Sequence, residues 1–154
     1  MREIKFRAWN KENEKMIYSN ETYPRSIYKF EFDIVSNFNF KLTKMVDRFN
    51  VKADDGEDYY IECYEPIDAD IMQYTGLKDY DNNEIYEGDI VKTSTGVIGI
   101  VRFGRYSATN INGISNIGFY IEWKLDICMR IDLGYWLERI SVIGNIYENP
   151  ELLG

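Results

Sequence analysis

The stretch from Tyr28 to Leu42 restricts the fold more than any other part of the chain. Tyr28, Phe30, Phe32 and Ile34 fall at every second position, with Lys29, Glu31 and Asp33 between them. A period of two puts the apolar side chains on one face of an extended strand and the charges on the other, whereas a helix would scatter both sets. After Ser36 and Asn37 the pattern resumes, with Phe38, Phe40 and Leu42 against Asn39 and Lys41. The two runs are therefore predicted to pair about a tight turn.

The same period recurs elsewhere. Ile4, Phe6 and Ala8 alternate with Lys5, Arg7 and Trp9, the polar run 10–14 reads as a turn, and Met16 to Tyr18 follows as a return strand. Tyr60, Glu62 and Tyr64 alternate with Ile61, Cys63 and Glu65 until Pro66 stops the run. Between these strands, Leu42, Met45, Val46 and Phe49 have the i, i+3, i+4, i+7 spacing of a short amphipathic helix.

Past Pro66–Asp70, where a break in organisation is expected, short runs dominate. Ile90–Val91 starts a strand, Ser94-Thr95-Gly96 turns it, and residues 97–103 return, with Gly99 permitting a bend. Residues 105–117 are rich in Ser, Asn, Thr and Gly and read as an excursion before strands at 118–123 and 141–147. Residues 134–140 suit either a helical turn or a short strand, and Pro150 suits the start of a terminal turn. The expected fold is mainly β with few short helices. A β-rich N-terminal region covers residues 1–70 and an SH3-like small β-barrel covers 71–154, as two regions or one continuous domain.

Composition narrows the chemistry. The chain of 154 residues has no histidine, which removes the usual neutral-pH base, the Ser–His and Cys–His nucleophile pairs and the commonest transition-metal ligand. Its two cysteines, Cys63 and Cys128, are too few and too far apart for a zinc site or a CxxC redox motif, spacing alone does not decide a disulfide between them, and they are expected as reduced, buried thiols. The net charge of −8, shared by both halves, opposes nonspecific contact with a phosphate backbone. No apolar run is long enough to span a bilayer, and MREIKFRAW lacks the hydrophobic block of a secretion signal. A cytoplasmic protein with no membrane contact is expected.

Three constellations carry possible chemistry. Asp79, Asp81 and Asn83 match the early ligands of a calcium-binding loop, but Glu84 then stands where glycine is needed and Ile90 where the bidentate acid is needed. An Asx-rich turn explains the cluster better. Glu87 and Asp89 form a possible carboxylate couple, more simply read as a solvated loop edge. Arg2, Lys5, Arg7 and Trp9, together with Arg102, Arg105 and Tyr106, interleave cations with rings as single-strand binders do, although the acidic balance opposes this reading. No catalytic, cofactor-binding or metal-binding residues are assigned.

Three blocks in order carry a family likeness: residues 2–9 (REIKFRAW), 73–91 (QYTGLKDYDNNEIYEGDIV) and 142–151 (VIGNIYENPE). The chain resembles the YopX family of small phage and prophage proteins along nearly its whole length. The turn at Tyr80–Asn83 lacks the glycine frequent in related turns, so Asn82 or Asn83 is expected in the left-handed conformation. The resemblance implies a mostly β protein of a phage or prophage, working in the bacterial cytoplasm, and supplies no catalytic residues. Tyr74, Gly76, Gly88 and Asp89 carry over as motif positions with a structural role, Asp89 bonding to turn amides.

These readings converge on a noncatalytic accessory protein that binds a host or phage protein and, with strand edges to cover, assembles as a homo-oligomer. The alternative is an accessory protein that binds single-stranded nucleic acid.

Overall fold

The computed structural model describes residues 3–21, 26–33, 39–54, 56–107, 115–125 and 130–154. Ile34, the turn at Ser36–Asn37, Phe38, Arg2 and Cys128 lie outside these residues, as does most of the 105–117 excursion. The chain divides into two compact units, one of residues 5–71 and one of residues 1–4 with 72–154. Both are built almost entirely of antiparallel strands, and the fold is mainly β with curled sheets, including a half-barrel.

In the first unit, β1 (Phe6–Asn10) pairs with β2 (Lys15–Tyr18), so the N-terminal hairpin forms where the alternation placed it. Next come β3 (Tyr28–Asp33), β4 (Asn39–Lys52) and β5 (Asp58–Pro66), a three-stranded sheet ordered β3-β4-β5. Phe30 lies opposite Leu42 and Phe32 opposite Phe40, the pairing expected from the two alternating runs. The core gathers on that face. Ala8, Ile17 and Leu42 are almost fully buried, with Tyr28, Phe30, Ile67, Ala69 and Ile71 packed against them.

The helix expected from Leu42 to Phe49 does not form, because the whole segment lies within β4. A bulge causes the misleading spacing. Met45 pairs with Tyr64 and Asp47 with Cys63, which leaves Val46 as an extra residue that resets the alternation. Inserting one residue into a period of two imitates helical periodicity over two turns.

β3 pairs only as far as Lys44, so the remainder of β4 and its partner β5 continue as a two-stranded ribbon. Register gives this ribbon two distinct faces. Arg48, Asn50, Tyr60 and Glu62 share one; Asp47, Phe49, Val51, Tyr59, Ile61 and Cys63 share the other. On the first face Arg48 lies over the Tyr60 ring at 4.0 Å, while Lys29 contacts Glu62 at 3.5 Å.

β6 (Ala69–Lys78) begins in the first unit and continues into the second, where it pairs with β7 (Glu84–Tyr86). β8 (Asp89–Thr93), β9 (Ile98–Tyr106), β10 (Asn116–Trp123) and β11 (Ile140–Asn145) form a sheet ordered β10-β9-β8-β11. This meander with a returning fourth strand is compatible with the SH3-like arrangement. Ile85, Val91, Val101, Ile121, Leu133 and Ile140 fill its interior. Residues 134–140, which suited either structure, include most of a single helical turn, α1 (Leu133–Trp136), and Pro150 opens a terminal 3-10 turn.

Gly99 is needed for a close approach. A Cβ there would lie 2.8 Å from Cε3 of Trp123 and would also press into Ile121. Gly99→Ala is expected to cost about 1 to 3 kcal/mol through overpacking. Urea unfolding followed by tryptophan fluorescence measures this directly.

Candidate functional site

The site in the second unit is built outward from a turn. Gly76 sits at φ +81° in a bulge of β6, where Tyr74 pairs with Tyr86 and Lys78 with Glu84, so β6 spends two more residues than β7 over the same span. The Thr75 hydroxyl spans the bulge, donating to the Ile85 carbonyl at 2.8 Å and accepting from Leu77 N–H at 3.1 Å. The Tyr74 and Tyr86 rings lie 5.3 Å apart between centroids.

Asp79 organises the turn that follows. Its carboxylate accepts from the N–H groups of Asp81 (3.0 Å) and Asn83 (2.8 Å), from the Asn83 side-chain amide (3.2 Å) and from Val142 N–H on β11 (2.7 Å). The cluster that resembled a calcium loop is thus an Asx turn whose central carboxylate is spent on amides. Asn82 takes the left-handed position with φ 67°. Tyr80 N–H donates to Ile140 O at 3.1 Å and the Ser141 hydroxyl to Asp81 at 2.6 Å, so the turn is stitched to β11 along its length.

The carboxylates at Glu87 and Asp89 are not a solvated loop edge. Asp89 is 1% exposed and accepts Tyr86 N–H at 2.7 Å, closing the turn in which Gly88 has φ +80°. Glu87 is half-buried, and desolvation raises its pKa above the ordinary value of 4.5 against the opposing pull of Arg102 and Phe103 N–H. The chain turns back into the interior here, a tertiary event that local sequence does not announce. The last motif block is also structural. Asn145 accepts the N–H groups of Tyr147 (3.1 Å) and Glu148 (2.9 Å), and Gly144 leaves room for the Asn149 side chain.

On this frame lies a cavity of about 490 Å³ that sequence reasoning missed. It is lined by the end of β8 and its turn (Lys92–Thr95), by Ser141 and Ile143 of β11, by Trp136, Glu138 and Arg139 after α1, and by Tyr80. Lys92 and Ser141 are register partners, so their side chains share the outer face of the sheet. No spacing rule joins positions 80, 92 and 136–143. Only the pairing of β8 with β11 does.

The described residues of the proposed nucleic-acid surface fall in both units, Lys5, Arg7 and Trp9 in the first and Arg102, Arg105 and Tyr106 in the second. Arg7 is 5% exposed, and Lys5 and Trp9 are half-buried. Arg102 pairs with Glu122 at 2.9 Å, and the Tyr106 ring is stacked on Tyr120 at 5.4 Å, leaving Arg105 as the exposed cation of that group. Burial of Arg7 and neutralisation of Arg102 remove two of the positive charges on which the reading depended. Among the described residues no helix is long and apolar enough to cross a membrane. Cys63 is free and half-buried on the ribbon, rather than in the core.

The fold and site define a mainly β protein in which a rigid, carboxylate-centred turn buttresses one wall of a ligand-sized cavity. The chain belongs to the YopX protein family, whose model matches residues 5–154. Among solved structures it is similar to the crystal structure of protein EF1440 from Enterococcus faecalis, at 25% identity, full coverage of both chains and a TM-score of 0.55. No curated protein matches it significantly.

Two outcomes follow from this geometry. Asp79→Asn places an amide nitrogen against N–H donors and is expected to lose about 2 to 3 kcal/mol, measured by chemical denaturation. Glu87 binds its proton more tightly when folded. Its contribution to stability is full below pH 4.5, where the unfolded chain is also protonated, and falls as pH rises through the higher folded-state value. Glu87→Gln is expected to flatten that part of the stability profile, read as melting temperature against pH.

Proposed function

We propose that this protein is a noncatalytic phage or prophage accessory protein of the bacterial cytoplasm that acts through protein contacts and assembles with copies of itself. The observation that carries the reading is the uncovered apolar face of the β4–β5 ribbon. Phe49, Tyr59 and Ile61 are 50%, 50% and 47% exposed on it, although the same face of β4 is buried at Leu42. The apolar stripe outruns the layer that covers it. A two-stranded ribbon is marginal on its own in water, and exposed apolar strands are a liability that a partner surface removes.

A second copy suits this face because the face complements itself. Two-fold apposition centred on the Phe49–Ile61 pair sets the Asp47 end of one ribbon over the Tyr59 end of the other, where a phenol can donate to a carboxylate. On the opposite face Arg48 and Lys29 each pair with Glu62. Nucleic-acid binding draws less support, since Arg7 is buried and Arg102 is paired with Glu122. The noncatalytic reading rests on the absence of histidine from the chain together with the use of Asp79 and Asp89 as backbone acceptors.

Light scattering after size-exclusion chromatography is expected to give a dimer or a higher symmetric assembly. Ile61→Glu, at an exposed position, should raise the dissociation constant about a hundredfold by burying an unpaired charge. A strictly monomeric wild-type protein at high concentration would overturn the reading.

A further inference from the structure

The cavity between β8, β11 and the segment after α1 has a ligand chemistry of its own, independent of self-assembly. From its lining we infer that it binds a small ring-bearing anion with hydroxyl donors, the chemistry of a nucleoside monophosphate. Its volume, about 490 Å³, lies in the range of small-molecule sites.

One wall is a prepared aromatic platform. The Trp136 indole N–H donates to Arg130 O at 2.7 Å, and the ring meets Trp123 edge-on at 5.0 Å and Tyr135 edge-on at 5.2 Å. Three contacts fix the ring before any ligand arrives, so stacking on it costs little ordering. Tyr80, 72% exposed, provides a second ring at the cavity.

The charges arranged around this platform have no ion-pair partner among the described residues. Arg139 is positioned by one N–H that donates to Tyr135 O at 2.7 Å and by packing over the Tyr135 ring at 4.6 Å, and its guanidinium has no carboxylate partner among the described residues. The Lys92 ammonium and the Glu138 carboxylate likewise have no hydrogen bond or ion pair among the described residues. Two cations and one carboxylate lining a largely apolar space favour an anion whose body is flat and apolar. They also call for donors to engage Glu138, and vicinal sugar hydroxyls are such donors. A simple aromatic carboxylate would meet Glu138 as a like charge, whereas a nucleoside monophosphate has a group for each of the three features.

The test is a titration of the full chain with adenosine monophosphate, followed by amide chemical shifts, with adenosine and inorganic phosphate as separate arms. Saturable shifts confined to residues 80, 92–95 and 136–143 are expected, with adenosine and phosphate each at least about tenfold weaker. Lys92→Gln and Arg139→Gln should each weaken adenosine monophosphate about fivefold and leave adenosine unchanged, at exposed positions where circular dichroism verifies the fold. Glu138→Gln should weaken adenosine monophosphate and adenosine alike. The inference fails if adenosine equals the monophosphate, if phosphate alone does, if the shifts fall elsewhere, or if nothing saturates by about 5 mM, well above a functional affinity. Each of these outcomes is independent of the oligomeric state.

Discussion

The second unit depends on one carboxylate. Asp79 is nearly buried, yet its two oxygens meet four N–H donors, three from its own turn and one from β11, sixty-three residues further along the chain. Burying a charged group is costly unless its lone pairs are satisfied, and here amides satisfy them. The local bonds shape the turn; the distant one fixes β11 against it. Because β11 also pairs with β8, the same carboxylate sets the distance between Tyr80 and the wall of the cavity.

The glycines and the other acid of the motif serve the same end. Gly76 lets β6 bulge, Gly88 lets the chain reverse, and Asp89 closes that reversal on Tyr86 N–H. Residues 73–91 thereby become a hydrogen-bonded corner, and Tyr80 of that corner lines the cavity. The first unit is organised differently, by an apolar sheet face that continues beyond its own core. One unit presents a concave cavity and the other a strip of exposed apolar surface on one short acidic chain.

Much of the architecture was legible because a strand's period of two survives in the sequence wherever one face is buried. Tyr28 to Phe32 against Phe40 to Leu42, Phe6 to Ala8 against Met16 to Tyr18, and Tyr60 to Tyr64 were all readable in this way. The failures have physical causes. Val46 hid a strand because a bulge adds a residue without any composition cue. Asp89 looked like a solvated acid on composition because acidic residues usually are, whereas the family likeness set it on turn amides, and in the fold it accepts Tyr86 N–H. Arg7 looked like a surface cation because alternation does not say which face is covered.

The sequence by itself determined the mainly β class, the family, the Asx turn at Asp79 and the absence of histidine chemistry. These rest on local backbone preference, short-range hydrogen bonding or composition, all written in neighbouring residues. The tertiary structure alone decided the tie from Asp79 to Val142, the cavity that gathers Tyr80, Lys92 and Arg139, and the uncovered stripe from Phe49 to Ile61. Each of these depends on strand register between distant segments or on where one layer stops covering another. Such distances are fixed when the sheets pack, and no window of adjacent residues contains them.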